Sequence, residues 1–476
     1  MFTDFLNALN NIVWGPIMLV LLVGTGIFLT IGLKCMPWRK TPYAFRMMWR
    51  GRKAEAGSSG ELTPWNSLMT ALAATVGTGN IAGVATAIFM GGPGALFWMW
   101  CTALVGMATK FAESALSVKY RERTPEGHYV GGPMFFIKNG LGKRWVWLGT
   151  AFAIFGALAG FGIGNMVQSN SIVGALLPVL PESWTAGSAM APTDVINLSP
   201  IRLIVAGILL VGIGAVLLGG LKRIGDVAGK VVPLMCVFYI VCALGVMIVH
   251  ITEVPRIFAM VISEAFTPTA AVGGFAGSTI AMAMRFGIAR GLFSNEAGMG
   301  SAPIVAASAS INSPVRMGLI SMLGTFIDTI VVCSMTGFAI LVTGSWTSGL
   351  SGSALTSHAF ESVFPGLGSL MVAVGSALFA FSTILGWCVY SERCVIYLFG
   401  DKGLKPFRFI FTLAVPIGVV CQLDTVWLIA DTLNALMAIP NLIGILLLSP
   451  VLFQITKTYF LTDDGSGTHT EDEFFK

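Results

Sequence analysis

The sequence predicts an all-α protein with eleven transmembrane helices, and three observations lead to that fold class. Of the 476 residues, 55% are hydrophobic and only 11% are charged, whereas soluble domains carry about 25% charged residues. The apolar residues form long blocks separated by short polar stretches, as expected when lipid is the solvent. The basic residues gather in alternate stretches between the blocks, which is typical of cytoplasmic loops.

Each predicted helix is close to the about 20 residues that cross the hydrocarbon of a bilayer. The eleven segments are 13–33, 66–90, 95–118, 145–177, 203–221, 231–250, a broken region near 267–292, 317–343, 369–398, 406–421 and 437–456. Two further stretches, 254–264 and 424–436, are too short or too amphipathic to span, and we expect them to lie as helices at the outer surface.

These segments define the organisation of the chain. Residues 1–461 are predicted to form a single transmembrane domain, and the tail 462–476, which is acidic and polar, to be disordered in the cytoplasm. Within the domain, 13–33 is an additional N-terminal helix, 66–250 a first repeat and 267–456 a second repeat.

The first apolar block is a transmembrane helix rather than a secretion signal, because Met1 to Asn11 contain no Lys or Arg. If the N-terminus lies outside and the C-terminus in the cytoplasm, all but two of the 28 basic residues fall on the cytoplasmic side. The two exceptions are Arg202 and Arg256. Because a miscounted helix would scramble this partition, the charges support eleven spans.

Composition and motifs exclude several classes of protein. The net charge of +5 is too small and too dispersed for a nucleic-acid partner, and the eight cysteines form no CxxC pair. No GxSxG or HExxH sequence occurs, so we expect neither an enzyme nor a cofactor. A channel needs a continuous polar lining, whereas the polar residues here concentrate at two glycine-rich interruptions. A receptor or scaffold would have no need of those interruptions.

The interruptions occupy matching positions in a weak internal symmetry. Without the first helix, ten helices form two sets of five, and an odd number per set inverts the second set. The opening helix of each set contains a glycine-rich stretch, VGTGNIAG at 76–83 and GGFAGS at 273–278. Broken helices at matching positions of inverted repeats indicate a transporter binding site.

Unwinding of the chain at 76–80 would expose backbone groups that hydrocarbon cannot satisfy. Freed N–H groups suit a carboxylate, and freed carbonyls suit sodium or an ammonium group. A zwitterionic amino acid with sodium therefore meets both needs. Close packing of small residues is the alternative role for such glycines, and for Gly83 and Gly91 it fits at least as well.

Five blocks of sequence resemble the alanine or glycine:cation symporter family, and the resemblance covers nearly the whole chain. They are GGPGALFWMW (91–100), GMATKFAES (106–114), VGGPMFFI (130–137), RGLFSNEAGMGSAPI (290–304) and FAFSTILGW (379–387). The resemblance implies a leucine-transporter-type five-plus-five inverted fold with one extra N-terminal helix. It also implies sodium-coupled uptake of alanine by alternating access, with glycine, serine and D-isomers as further candidates. Such a protein is expected to work as a monomer in the bacterial cytoplasmic (inner) membrane.

The resemblance also implies individual roles. The N–H groups of Thr78 and Gly79 would hold the substrate carboxylate, and Asn80 would bind a second ion. Further contacts to the substrate would come from Gln168, Phe275, Gly277, Thr279 and Trp387. Sodium would bind to the carbonyls of Ala73, Val76 and Phe379 and to the hydroxyls of Ser382 and Thr383.

Several of these residues could instead have a purely structural role. The hydroxyls of Ser382 and Thr383 could bond to the preceding helical turn, Gln168 could link helices, and the aromatic residues could be packing. Asp328, in the middle of a span, could bind a cation, carry a proton or pair with Arg285. The ion pair is favoured slightly.

Two other pairs of charges are expected near the cytoplasmic side. Lys110 and Glu113 are expected to pair on one helix. Arg290 and Glu296 could form a gate or lie in a solvated loop. Coupling to protons instead of sodium is the alternative function.

Overall fold

The structure is a computed structural model that describes residues 2–190 and 195–462. Most of the described chain is helical, and one short antiparallel hairpin pairs β1 (Glu122–Arg123) with β2 (Tyr129–Val130). The helices up to the middle of the chain are α1 (Phe2–Val13), α2 (Pro16–Gly32), α3 (Met36–Arg39), α4 (Thr41–Arg50), α5 (Pro64–Thr75), α6 (Ala82–Gly91), α7 (Gly94–Lys119), α8 (Pro133–Phe136), α9 (Val146–Phe161), α10 (Val167–Leu176), α11 (Glu182–Thr185), α12 (Pro200–Leu217) and α13 (Gly220–Val249).

The remaining helices are α14 (Val254–Glu264), α15 (Ile280–Asn295), α16 (Pro303–Ala306), α17 (Pro314–Thr325), α18 (Ser334–Val342), α19 (Gly352–Glu361), α20 (Gly368–Phe399), α21 (Leu404–Val420) and α22 (Asp424–Thr462). Two π-helical segments, Gly162–Met166 and Phe326–Cys333, join α9 to α10 and α17 to α18 without a loop. Residues 463–476, which hold nearly all of the predicted tail, lie outside the described part of the chain.

Nine helices of the described chain are long and apolar enough to cross a membrane. Pro64–Thr75 and Thr78–Gly91 pass the same test together, as a pair bent by 62°, and raise the number to ten. The protein is therefore a multi-pass membrane protein, as the composition predicts. Short polar caps begin several of these helices. Thr63 accepts the N–H of Asn66 at the start of α5, and Ser313 accepts that of Arg316 at the start of α17.

The second half of the chain differs from the prediction in two places. The stretch 424–436 is not a separate surface helix, because α22 continues through it to Thr462 despite Pro440 and Pro450. The interruption predicted at 273–278 is a tight turn that precedes α15, and the chain breaks instead after α15, at 296–302. The predicted short helix at 254–264 is present as α14.

The two breaks meet because of how the helices pack. The first interrupted helix consists of α5 and α6. Its first half, α5, packs between α13 and α20, and its second half, α6, packs against α15 and α19. Helix α7 packs along both α15 and α17, while α20 packs on α9 and α10. Glycine permits the closest approach: a Cβ on Gly386 of α20 would lie 2.6 Å from the backbone nitrogen of Ala74 in α5. The breaks consequently lie side by side in the interior.

Candidate functional site

The first break lies where the sequence predicts it. Helix α5 ends at Thr75, Val76 leaves the helical region with ψ of 93°, and Gly77 is extended. A single 3-10 turn, Thr78–Asn80, precedes α6. The Asn80 side chain stabilises this arrangement because its Oδ1 accepts the Gly77 N–H at 2.8 Å.

The break leaves donors free in the interior. The N–H of Asn80 donates to the Gly77 carbonyl at 3.1 Å and that of Ile81 to the Thr78 carbonyl at 3.3 Å. None of the hydrogen bonds among the described residues uses the N–H groups of Thr78 or Gly79. Two adjacent free amides in a buried position form a concave donor pair, which favours an anionic group.

Six residues are predicted to bind sodium, one of them, Asn80, at a second site; of the five at the first site, four are joined by hydrogen bonds. Ser382 Oγ reaches the Phe379 carbonyl at 2.9 Å and, across the helix interface, the Ala73 carbonyl at 3.3 Å. Thr383 Oγ1 also donates to the Phe379 carbonyl, at 2.9 Å. Bonding to the preceding turn explains the contacts to Phe379 but not the contact to Ala73, which belongs to another helix. Val76 is fully buried beside this group, at the break itself.

The second break follows α15, and a buried carboxylate stabilises its non-helical backbone. Glu296, Gly298 and Gly300 all have positive φ, of 53°, 93° and 79°. Glu113 Oε1 accepts the N–H groups of Gly298 and Gly300, both at 3.1 Å, and the side-chain amide of Asn441 at 2.7 Å. Such hydrogen bonds replace the helical ones that the break removes.

Glu113 is thus part of the second break, and the ion pair predicted between Glu113 and Lys110 is not among the salt bridges of the described residues. The Lys110 side chain is buried and its Nζ lies 3.3 Å from the Glu296 carbonyl. Glu296 itself is buried and accepts a hydrogen bond from the Ser301 hydroxyl. It is therefore neither in a solvated loop nor paired with Arg290.

Asp328 connects the two breaks through hydrogen bonds. Its carboxylate accepts from Asn80 Nδ2 at 2.7 Å, from Ser294 Oγ at 2.8 Å and from Thr329 Oγ1 at 2.7 Å. Arg285, the partner favoured from the sequence, is exposed and lies over the ring of Phe286. The carboxylate is therefore satisfied by neutral donors, so the favoured ion pair was wrong.

A small cavity of about 30 Å³ lies between the breaks, which is room for about two water molecules. Its walls are Ala74, Thr75, Gly77, Thr78, Gly79, Ile163, Gln168, Phe293, Glu296, Thr383, Trp387 and Asn434. Gln168 donates from Nε2 to the Ile163 carbonyl at 2.9 Å, a carbonyl released by the π-helical segment. Its Oε1 and the Oδ1 of Asn434 are buried acceptors without a hydrogen-bond partner. Buried acceptors of this kind normally have a donor.

The structure brings Thr78, Gly79, Gln168 and Trp387 to this cavity but not the other three predicted substrate residues. Thr279 caps α15 by accepting the Met282 N–H at 3.2 Å. Phe275 packs on Trp346 with ring centroids 5.2 Å apart, and Gly277 has a φ of 86° in the turn. The turn is held by paired bonds between Thr269 and Ser278, so these residues shape the approach to α15 and do not line the cavity.

Sequence reasoning missed Phe293, placed Glu296 at a gate or in a loop instead of at the cavity, and missed Asn434. The first two lie in the block 290–304, whose glycines at 298 and 300 and Pro303 could have revealed the second break. Asn434 is one of several polar residues in a stretch whose amphipathic pattern suggested a surface helix. No local signal shows that it faces the first break from α22.

Comparison with known proteins agrees with this geometry. The fold is that of MhsT, whose crystal structure in complex with L-phenylalanine has a TM-score of 0.54 at 14% identity, over 84% of this chain and 99% of MhsT. Two broken helices around a cavity are the arrangement in which secondary membrane transporters form their binding sites.

The chain belongs to the sodium:alanine symporter family, whose family model matches residues 1–473. It is 46% identical to the sodium/alanine symporter AgcS of Methanococcus maripaludis, over 96% of this chain and 97% of AgcS. An uncharacterized transporter of Haemophilus influenzae is 45% identical over 96% of both chains.

Proposed function

We propose that this protein is a symporter that couples the entry of sodium to the uptake of a small neutral amino acid, with alanine as the main substrate. The cavity between the breaks carries the proposal. It offers two free N–H donors, at Thr78 and Gly79, and two unpartnered acceptor oxygens, on Gln168 and Asn434. A carboxylate satisfies the donors and an ammonium group satisfies the acceptors, so an α-amino acid fits both sets.

The size of the cavity supports a substrate with a small side chain. With about 30 Å³ open, binding must already widen the site for the main-chain atoms of an amino acid. Phe293 and Trp387 border the remaining space, and a branched or aromatic side chain would collide with these rings. Alanine, glycine and serine, together with D-alanine and D-serine, remain as candidates. The name of AgcS, a sodium/alanine symporter, agrees with the first of them.

The oxygen cluster next to Gly77 is the proposed sodium site. The carbonyls of Ala73, Val76 and Phe379 and the hydroxyls of Ser382 and Thr383 are neutral oxygens, which hard cations accept as ligands. Asn80 is the proposed residue of a second ion site beside the substrate. Asn80 donates a hydrogen bond to the Asp328 carboxylate. The second ion site therefore lies beside a negative charge, whereas the first consists of neutral oxygens.

Alternating access follows from the arrangement of the helices. We propose eleven spans: the nine long apolar helices of the described chain, the bent pair, and Ile280–Asn295 together with α16, which follows its break. Without the first span, each set of five begins with a broken helix, which supports the five-plus-five inverted repeat. Rocking of the two broken helices against their neighbours would then expose the cavity to each side in turn.

The proposed setting is the bacterial cytoplasmic membrane, with the N-terminus outside and the C-terminus in the cytoplasm. The basic loops support that orientation. We propose that the protein works as a monomer and requires no cofactor besides the transported sodium.

Uptake by proteoliposomes tests the function. Labelled alanine should accumulate with an inward sodium gradient and should not accumulate when choline replaces sodium. Glycine and serine should compete. Propionate, which lacks the ammonium group, and ethylamine, which lacks the carboxylate, should not compete. Uptake that ignores sodium but follows a proton gradient would contradict sodium coupling.

A variant of Gln168 tests the assignment of the cavity. Gln168→Leu nearly keeps the volume of the side chain and removes the acceptor. A hydrogen bond to a charged group contributes about 1.5–3 kcal/mol, so the half-saturating concentration of alanine should rise by about 10- to 150-fold. Asn170→Leu is the matched control on the same helix, because Asn170 donates to the carbonyls of Gly418 and Cys421 away from the cavity. Equal changes in both variants would remove Gln168 from the site.

A further inference from the structure

Three metal-ligating side chains meet far from the transport cavity, beside the β1–β2 hairpin. Glu126 and His128 belong to the turn between the two strands of the hairpin, and Asp401 begins the turn between α20 and α21. One ligand atom of each, a ring nitrogen of His128 and a carboxylate oxygen of Glu126 and Asp401, lie within 4.8 Å of one another. The three residues thus join two segments that are distant in the sequence.

The histidine is already oriented for a ligand role. His128 Nδ1 lies 2.9 Å from Glu61 Oε2, and the other oxygen of Glu61 accepts the Tyr129 N–H at 2.8 Å. A carboxylate that holds Nδ1–H leaves the lone pair on Nε2, which is the arrangement that metal-bound histidines use. The Glu61 carboxylate is itself held by Arg393, whose Nη2 lies 3.0 Å away.

The two acidic side chains could both reach a metal ion, because one has an unpartnered oxygen and the other is free to move. Asp401 Oδ1 is a buried oxygen without a hydrogen-bond partner, whereas such oxygens normally accept a bond. Glu126 is exposed in a turn and can move toward the other two ligands. Both acids line an open cleft of about 780 Å³, which gives an ion a path to them. Three cations also line the cleft, Arg123, Lys138 and Lys402; Lys138 is paired with Glu122 at 2.9 Å.

We infer that Glu126, His128 and Asp401 bind a divalent transition-metal cation of the zinc type. One imidazole and two carboxylates, with water in the fourth position, match the ligands that Zn²⁺ takes. Tetrahedral bonds of about 2.1 Å place ligand atoms about 3.4 Å apart. The three ligand atoms lie within 4.8 Å of one another, so binding would require them to approach more closely, and Glu126 is exposed and can move. The two carboxylates balance the charge of the ion. Calcium and magnesium, which prefer oxygen ligands throughout, fit the imidazole poorly.

Bound metal would restrain the start of the first broken helix. It would tie the hairpin to the α20–α21 turn, and His128 holds Glu61, which lies three residues before Pro64 at the start of α5. If α5 moves during transport, an occupied site should slow that motion. This consequence, unlike the site itself, rests on the proposed function.

Zinc binding to the full-length protein in detergent tests the site. After removal of metal by a chelator, Zn²⁺ is titrated in competition with a chromophoric indicator. The unmodified protein should show a site that His128→Gln and Asp401→Asn each weaken by more than the about 10- to 100-fold that loss of an outer-shell partner costs. Two matched controls, His250→Gln and Glu253→Gln, remove a histidine and a carboxylate that do not line the cleft and should bind as the unmodified protein does. Equal affinity in the unmodified protein and in both cluster variants would overturn the site.

Uptake measured in the same preparations tests the restraint. Zn²⁺ should slow alanine uptake by the unmodified protein and leave uptake by Asp401→Asn unaffected. Binding without slowing would overturn the restraint and keep the site. Absence of sodium-driven uptake in zinc-free protein would instead contradict the proposed function, while the binding titration still decides the site.

Discussion

Replacing Thr383 by valine separates an ion ligand from an ordinary helix hydroxyl. Valine has nearly the shape of threonine, so the change removes Oγ1 and leaves the packing of α20 almost intact. Thr383 Oγ1 donates to the Phe379 carbonyl at 2.9 Å, and this bond alone would make the residue structural. The same oxygen also lies close to Gly77, where an added Cβ would approach it to 2.8 Å. That position at the break makes it a candidate ligand.

The two roles predict different magnitudes. Loss of one interaction with a charged group costs about 1.5–3 kcal/mol, and 1.4 kcal/mol corresponds to a factor of ten. The sodium concentration for half-maximal uptake should therefore rise by about 10- to 150-fold in Thr383→Val. A hydroxyl that only bonds to its own helix would leave sodium dependence unchanged.

The assay is sodium-dependent uptake of labelled alanine into proteoliposomes at a constant imposed membrane potential, with choline replacing sodium. Thr86→Val is the matched control, because Thr86 Oγ1 makes the same kind of bond, to the Ala82 carbonyl at 2.8 Å, in α6. The amount of inserted protein is measured for each variant. If Thr383→Val and Thr86→Val share the sodium dependence of the unmodified protein, the proposed ion site is refuted at this residue.

Three further predictions concern the breaks and the capping turn. Gly77→Ala would place a Cβ 2.8 Å from Thr383 Oγ1, an overlap that costs about 1–3 kcal/mol, so sodium-driven uptake should fall about tenfold. In the control Gly83→Ala the added Cβ meets nothing within 4 Å, and uptake should be unchanged. Asp328→Asn leaves hydrogen-bond donors around residue 328 unsatisfied, which costs about 1–3 kcal/mol, and should reduce uptake about tenfold. Arg285→Gln should not reduce uptake, and an equal loss in both variants would support the ion pair between Asp328 and Arg285. Thr279→Ala removes a helix cap that contributes about 0.5–2 kcal/mol, so thermal stability should fall while the half-saturating alanine concentration stays the same. A change in that concentration would indicate that Thr279 does contact the substrate.

The first break could be predicted because its signal is local. Two glycines flank Thr78, and Asn80 supplies the side chain that holds the extended Gly77. The second glycine-rich stretch has a similar composition but a different partner: the hydroxyl of Ser278 donates to the Gly91 carbonyl at 3.0 Å, and this long-range contact makes it a turn. Composition alone does not distinguish the two outcomes.

The electrostatic predictions failed for a related reason. Of the three roles considered for Asp328, the ion pair with Arg285 was favoured slightly, yet Asp328 is surrounded by the neutral donors of Asn80, Ser294 and Thr329. Those donors come from three separate segments of the chain. Asn434 was hidden in the same way, since only the continuity of α22 brings it to the cavity.

The π-helical segment at Phe326–Cys333 determines how the side chains of α18, which follows it directly, are rotated about the helix axis. A wider turn holds about one residue more than an α-helical turn, and one residue corresponds to a rotation of about 100°. Thr336 reaches the Asn80 carbonyl at 2.7 Å, and Trp100 reaches Ser334 at 2.8 Å, only in this rotated register. Deleting one residue here would straighten the helix and turn both hydroxyls away, with almost no change in composition.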